Sequence, residues 1–115
     1  MYKNGHLDLK LINGYLETLN ISVLQQMLEL YIKQSQVYLL EIETAVSQEN
    51  QNSWQEQCHK MKGSAASAGL TIVYEKLKVI EKSTESWLIK NTEMKDLTLL
   101  NQEAIEAFKQ WLSVQ

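Results

Sequence analysis

The chain of 115 residues contains no proline and only 4 glycines. Sandwiches and barrels need many turn residues, so this shortage argues against an all-β fold and favours helices. A chain of this length corresponds to one domain, residues 1–115, with a single hydrophobic core. Hydrophobic residues make up 44% of the sequence, which excludes intrinsic disorder.

Arginine is also absent, and the net charge is −3. Because arginine makes most bidentate contacts to phosphates and base edges, we expect no binding to nucleic acid. The single cysteine, Cys58, cannot form an internal disulfide, so the expected location is the reducing cytoplasm. No apolar run approaches the roughly 20 residues of a membrane span, and we expect no direct membrane contact.

Apolar residues recur at helical spacing in five segments. This pattern predicts helices from His6 to about Thr18, from Ile21 to about Gln48, from Asn50 or Asn52 to Gly69, from Thr71 to about Ser86, and from about Asn91 onwards. The predicted fold is all-α: an antiparallel four-helix bundle with a short additional N-terminal helix. His6 is expected to be a solvated residue near the terminus.

The third predicted helix has one apolar stripe, formed by Trp54, Cys58, Met61, Ala65 and Ala68. At about 100° per residue, His59 falls outside this stripe and should be exposed on the surface of the bundle. Its neighbours on the helical wheel are Gln55, Lys62, Gly63 and Ala66.

Gly63 is unusual because a glycine in the middle of a helix costs about 1 kcal/mol relative to alanine. It lies opposite the apolar stripe, so packing against the core does not explain it. A partner molecule that must approach His59 closely would explain it. We therefore expect partner contacts at Gln55, Gly63 and Ala66, and also at Lys60, which points away from His59 on the helix.

The segment from His59 to Leu70 resembles the signature of histidine-containing phosphotransfer (HPt) domains. That signature has a histidine, two residues, lysine, glycine, serine or alanine, and a second glycine six residues after the first. Leu77 and Glu81 resemble a leucine and a glutamate usual in the following helix. The opening Leu7-Asp8, the long second helix and the length agree as well. The overall pattern is most similar to the C-terminal HPt domain of a hybrid sensor histidine kinase.

The resemblance implies a phosphorelay. His59 would accept a phosphoryl group from an aspartate of a response-regulator receiver domain and pass it to another receiver, and Lys62 would offset the phosphate charge. The chain needs no cofactor of its own, because Mg²⁺ is expected on the receiver. The domain is expected to be a monomer without a complete active site, with kinase activity only as part of a larger hybrid kinase. It would then lie in the cytoplasm, free or tethered at the inner membrane.

Two other classes of function stay open on the residues alone. Glu56 and His59 form a Glu-x-x-His unit, which di-iron four-helix bundles use, but the chain has no second unit of this kind. Cys58 and His59 lie about 100° apart on the helix, which does not favour a shared metal. The other alternative is a non-catalytic helical bundle that serves only as an interaction module.

Overall fold

Five α-helices contain most of the residues described by this computed structural model, which are residues 5–115. They are α1 (Leu9–Thr18), α2 (Ile21–Ser47), α3 (Gln51–Ser67), α4 (Thr71–Ile80) and α5 (Trp87–Ser113). Within this range there is no strand, and the only β-type pairing is an isolated bridge between Leu7 and Leu70. The predicted all-α class is confirmed.

The four helices α2 to α5 form the bundle. Helix α3 packs against α2 and α4, and α5 packs against the same two helices from the other side. Because short loops join consecutive helices, neighbours run antiparallel. The short helix α1 packs on α2. Helices α3 and α5 therefore lie diagonally across the bundle, and α3 has an outer face that α5 does not cover.

Asparagine side chains cap the N-termini of α2 and α3. Asn20 Oδ1 accepts a hydrogen bond from Val23 N at 3.1 Å, and Asn50 Oδ1 accepts one from Ser53 N at 3.0 Å. Such a side chain satisfies one of the amide groups that have no partner inside the helix. Of the two predicted caps for α3, the structure therefore uses Asn50.

A glycine two residues after the end of α3, Gly69, stops the helix, as predicted. Gly69 has a φ of +72°, and its N–H donates to Ala66 O at 3.1 Å while Leu70 N donates to Ala65 O at 2.9 Å. This pair of bonds is a Schellman motif, whose left-handed residue is usually glycine. A Cβ at position 69 would lie 3.0 Å from Ile12 Cγ1, so the backbone and the packing both favour glycine.

The predicted apolar stripe of α3 lies in the core. All five of its members are buried, and four of them have no exposed surface: Trp54, Cys58, Met61 and Ala65. The other large side chains without significant exposure come from every helix and include Ile12, Leu24, Ile42, Leu77, Ile80, Leu97 and Phe108. Since this core fixes how α3 is rotated, it also determines which α3 residues face solvent.

Two predicted boundaries are wrong. Helix α4 ends at Ile80 instead of continuing to Ser86, and α5 begins at Trp87, before Asn91. The physical reason is the serine chemistry of the loop, because Ser86 Oγ accepts a hydrogen bond from Ile89 N and caps α5. A serine side chain competes for backbone groups and favours caps and turns over helix interiors.

The prediction for His6 is also wrong. His6 is only 3% exposed, and its Nε2 lies 3.5 Å from Glu103 Oε1. The segment before α1 lies across the turn between α3 and α4, where Thr71 N donates to His6 O at 3.0 Å. Helix α1 accordingly begins at Leu9, with Asp8 as its N-cap.

Among residues 5–115, no helix combines the length and the apolar character that crossing a membrane requires.

Candidate functional site

His59 lies on the exposed face of α3. Its side chain is 70% exposed, whereas the preceding residue, Cys58, is completely buried. The contrast follows from the helix geometry, because the stripe that includes Cys58 is packed into the core and position 59 is rotated by about 100° from it. The structure confirms the expected exposure of the imidazole.

A carboxylate from the neighbouring helix faces this imidazole. Glu81 directly follows α4, and its Oε1 lies 3.4 Å from His59 Nδ1 and 2.8 Å from Lys62 Nζ. The Glu81 side chain is only 13% exposed, and its Oε1 is buried without a hydrogen bond of standard geometry. One oxygen atom therefore joins the histidine and the lysine, and it holds the Nδ1 side of the ring towards α4.

The charges of Glu81 and Lys62 support each other. Burial by itself raises the pKa of Glu81, but the Lys62 ammonium and the His59 imidazole act in the opposite direction, and the net pKa lies below its ordinary value. The pKa of Lys62 is raised, first of all by its contact with Glu81. Both groups are thus charged at neutral pH.

The two lysines of the motif point in different directions. The side chain of Lys62 is 21% exposed and lies against Glu81. Lys60 is half-exposed and pairs with Glu56 on the same helix, at 3.2 Å from Nζ to Oε1. The predicted contact of Lys62 with a phosphoryl group stays a prediction, and so does the predicted partner contact of Lys60.

The remaining predicted contact residues are all on the surface. Gln55, Gly63 and Ala66 are exposed on α3. An ideal Cβ built on Gly63 has no heavy atom within 4 Å outside its own helix backbone, so no packing inside this domain requires a glycine there. The free space beside Gly63 is on the outer side of the helix, near His59.

A shallow groove of about 300 Å³ runs beside Gly63 between α2 and α3. It is lined by Met27, Leu30, Tyr31, Gln34, Gly63, Ser64, Ser67 and Ala68. Leu30 is 56% exposed although it is strongly apolar. The α2 side of this groove is absent from the predicted contacts, but Leu30 carries a signal in the sequence, since it falls off the stripe formed by Leu24, Leu28 and Tyr31.

The end of α4 that carries Glu81 is tied to α3. The indole Nε1 of Trp54 donates a buried hydrogen bond of 2.8 Å to Ile80 O. Gln51 Nε2 donates to Ser83 O at 3.3 Å in the loop that follows. Helix α3 therefore provides both the histidine and the contacts that hold the neighbouring carboxylate beside it.

In the part of the chain that the structure describes, no group of three or more histidine, cysteine, aspartate or glutamate residues is placed to hold a metal ion. Glu56, the acidic residue of the Glu-x-x-His unit, has its carboxylate at Lys60. Burial, together with the charges of Glu81 and Glu93, raises the pKa of the Cys58 thiol to about 12. A thiolate ligand at that position is therefore disfavoured.

Comparison with known proteins gives one match. The family model described as "Hpt domain" matches residues 26–112. Neither the curated proteins nor the solved structures contain a match. The matched range includes α3 with His59, Lys62 and Gly63, and it extends over more than half of the chain. The chain therefore belongs to the Hpt domain family, whose members carry out histidine phosphotransfer in phosphorelays.

Proposed function

We propose that His59 accepts a phosphoryl group from an aspartate of one response-regulator receiver domain and passes it to an aspartate of another. The observation that carries this proposal is the exposed imidazole of His59, whose Nδ1 faces the Glu81 carboxylate while the opposite side of the ring is open. A relay site needs such an open nucleophile, because both partners are proteins and must reach the same atom.

The reacting atom in this proposal is Nε2. In a neutral imidazole one nitrogen carries the proton and the other carries the lone pair. A carboxylate 3.4 Å from Nδ1 favours the proton there and leaves the lone pair on Nε2. The Nε2 lone pair attacks phosphorus, the phosphorus–oxygen bond to the donor aspartate breaks, and that aspartate leaves as a carboxylate. The ring then carries a positive charge, which the Glu81 carboxylate stabilises.

Transfer to the second receiver is the reverse of this step. Its aspartate attacks phosphorus, and the bond to Nε2 breaks and returns the lone pair to the ring. Lys62 keeps Glu81 ionised, and its ammonium also offsets charge on the phosphoryl oxygens, since residues at i and i+3 lie on the same side of a helix. The receiver supplies Mg²⁺, and this chain supplies no cofactor.

The docking surface in this proposal is the outer face of α3, with Gln55, Lys60, Gly63 and Ala66. The groove beside Gly63 extends it to α2 and adds the exposed Leu30. A flat surface with a glycine at its centre allows a protein backbone to come close to the imidazole. We propose that the domain acts as a monomer in the cytoplasm without contacts to nucleic acid or membrane, and that it functions within a hybrid sensor kinase.

The test is phosphate transfer from a phosphorylated receiver domain to this chain. The wild type should gain acid-labile, base-stable phosphate, and His59→Gln should gain none while its helical circular dichroism is unchanged. His6→Gln is the matched control, because His6 is the other histidine of the chain, and it should still accept phosphate. Phosphate on the His59→Gln variant would show that the site is wrong. Binding of the receiver without any transfer to the wild type would favour the non-catalytic interaction module.

A further inference from the structure

We infer that Trp54 is a positioning residue for phosphotransfer at His59, because its indole N–H fixes the end of α4 and thereby the place of Glu81 beside the imidazole. This inference rests on the proposed function for its effect on rate. It concerns a residue outside the motif, which the sequence pattern assigns only to core packing.

The hydrogen bond of Trp54 is made at the point where α4 ends. The last carbonyl groups of a helix have no partner within the helix. Ile80 O accepts one bond from Ser83 N at 3.0 Å, inside the loop, and a second from Trp54 Nε1 at 2.8 Å. The bond from Trp54 ties this carbonyl to another helix, and Glu81 is the next residue along the chain.

The indole itself is held firmly. Trp54 has no exposed surface, and its ring lies edge-to-face with Trp87 at a centroid distance of 6.2 Å. Lys90, also buried, lies 4.3 Å from the Trp87 ring centroid, and its Nζ donates to Glu85 O. The donor atom of Trp54 therefore has little freedom to follow a moving α4, and it works as a fixed point.

The geometry closes a short loop of contacts. Trp54 and His59 lie on the same helix, about 7.5 Å apart along its axis. Trp54 holds Ile80, and Glu81 returns to His59 Nδ1 at 3.4 Å. Since that distance is already at the outer limit for a polar contact, a further shift of about 1 Å would remove the preference for the Nδ1 proton.

Apolar packing alone does not require this residue. A phenylalanine is also large and apolar, but it has no donor for the Ile80 carbonyl. Lys62 restrains the carboxylate of Glu81 through an ion pair, whereas Trp54 restrains the backbone at the end of α4, from which that side chain extends. The two restraints act on different parts of the same residue, and the second is what the inference assigns to Trp54.

The sharpest test removes the N–H and keeps the shape of the ring. Replacement of Trp54 by 3-benzothienylalanine puts sulfur in place of the N–H group. The full chain can be assembled by ligation at the junction between Gln57 and Cys58, with wild-type protein made in the same way as the reference. Trp54→Phe is the second, recombinant variant. Trp111→Phe is the matched control, because Trp111 is a buried tryptophan in edge contact with Phe108.

The control residue is remote from the site. Trp87, which touches Trp54, begins α5, and Trp111 lies near its other end, about 36 Å further along the helix axis. Three quantities are measured in each protein: the fraction of neutral His59 with its proton on Nδ1, from ¹⁵N shifts; the titration midpoint of the Glu81 carboxyl carbon; and the single-turnover transfer rate at saturating phosphoreceiver.

In the benzothienyl protein we expect the Nδ1–H fraction of His59 to fall at least twofold and the Glu81 midpoint to rise towards its ordinary value. The saturating transfer rate should fall about tenfold, with unchanged half-saturation by receiver, because the docking surface is intact. Trp111→Phe should match the wild type in all three. If Trp54→Phe does not fold, the benzothienyl protein decides.

The inference is overturned if the benzothienyl protein keeps the wild-type tautomer fraction and Glu81 midpoint, or if these change while the saturating rate does not. Failure of the proposed function looks different. In that case the wild type itself takes no phosphate on His59, whereas the NMR comparison of Trp54 variants still gives its result.

Discussion

Adding a side chain at Gly63 should make the domain more stable and make it a poorer relay. Gly63 lies inside α3, is exposed, and has free space where a Cβ would be. Replacing a glycine inside a helix by alanine gains about 1 kcal/mol from helix propensity. With an unfolding entropy of about 2.1 cal/mol/K per residue, this gain raises the Tm of a domain of this size by about 4 °C.

The chain offers a matched control for this stability effect. Gly14 lies inside α1, is also exposed, and has nothing within 4 Å of an ideal Cβ. Gly14→Ala should therefore raise the Tm by a similar amount. Thermal melts followed by circular dichroism measure both changes.

The effect on transfer should appear with a longer side chain. Position 63 is one turn from His59 and about 40° away around the helix axis. A glutamine there projects into the proposed docking surface, and overpacking of a close-fitting contact costs about 1–3 kcal/mol. Gly63→Gln should thus lower kcat/KM for the phosphoreceiver about 5- to 150-fold. Leu99→Gln is the control, because Leu99 is exposed on α5, diagonally opposite α3.

Phosphorylation by phosphoramidate separates the steps. This small donor needs no protein-sized approach, so its reaction with His59 should be nearly unchanged in Gly63→Gln. The reasoning is refuted if Gly63→Gln loses stability and transfers normally from the receiver. It is also refuted if Leu99→Gln slows transfer as much as Gly63→Gln does.

Three further predictions follow from the buried groups. Because the pKa of Glu81 lies below its ordinary value of about 4.3, the stability that its ionised carboxylate contributes is full above that pH and is lost as the pH falls through the lowered pKa. Thermal melts of wild type and Glu81→Gln should therefore differ at neutral pH and converge as the pH falls through that lowered pKa. Cys58, buried and with a pKa of about 12, should react with iodoacetamide at about pH 8 only as fast as the protein unfolds, and rapid labelling of folded protein would contradict its burial. Asn101 accepts from the Tyr31 hydroxyl at 2.6 Å and donates to Ser35 Oγ at 3.1 Å. Asn101→Ala leaves both buried hydroxyls without that partner and should cost at least about 2 kcal/mol in urea unfolding, so a loss below about 1 kcal/mol would show that the network is dispensable.

The rotation of α3 is the part of the fold that the sequence predicts best. Its apolar residues repeat at helical spacing, and the ends are marked by Asn50 and Gly69, whose roles as caps are local. Local chemistry of this kind depends on a few neighbouring residues, so it can be read without the rest of the fold. The exposure of His59 follows directly from it.

The errors of the sequence-based prediction arise where contacts between residues far apart in the sequence determine the structure. The segment after Ile80 has no glycine or proline to mark an end, and the helix stops where Trp54 Nε1 and Ser83 N both donate to the Ile80 carbonyl. His6 is buried because its segment packs on the turn before Thr71, where Thr71 N donates a hydrogen bond to His6 O. Nothing near His6 in the sequence indicates that contact.

In the candidate site, too, the sequence predicts what lies on one helix but not what depends on contacts between helices. The spacing of the motif places Lys62 one turn from His59, but it does not show that the ammonium is already engaged by Glu81. The α2 side of the groove, with Leu30, depends on how two helices pack, and single-helix periodicity does not contain that information. The structure adds the relative positions of side chains that lie on different helices.

The single exposed imidazole on α3 has a consequence for the flow of signal. Under the proposed function, the donor and the acceptor need the same nitrogen atom, so they cannot be bound productively at the same time. Transfer is then a ping-pong process, and an unphosphorylated donor that stays on α3 blocks the acceptor. The rate of phosphate transfer through the relay thus depends on the relative amounts of the two receivers as well as on their affinities. An excess of the unphosphorylated donor slows the onward transfer of the phosphoryl group that it has given to His59.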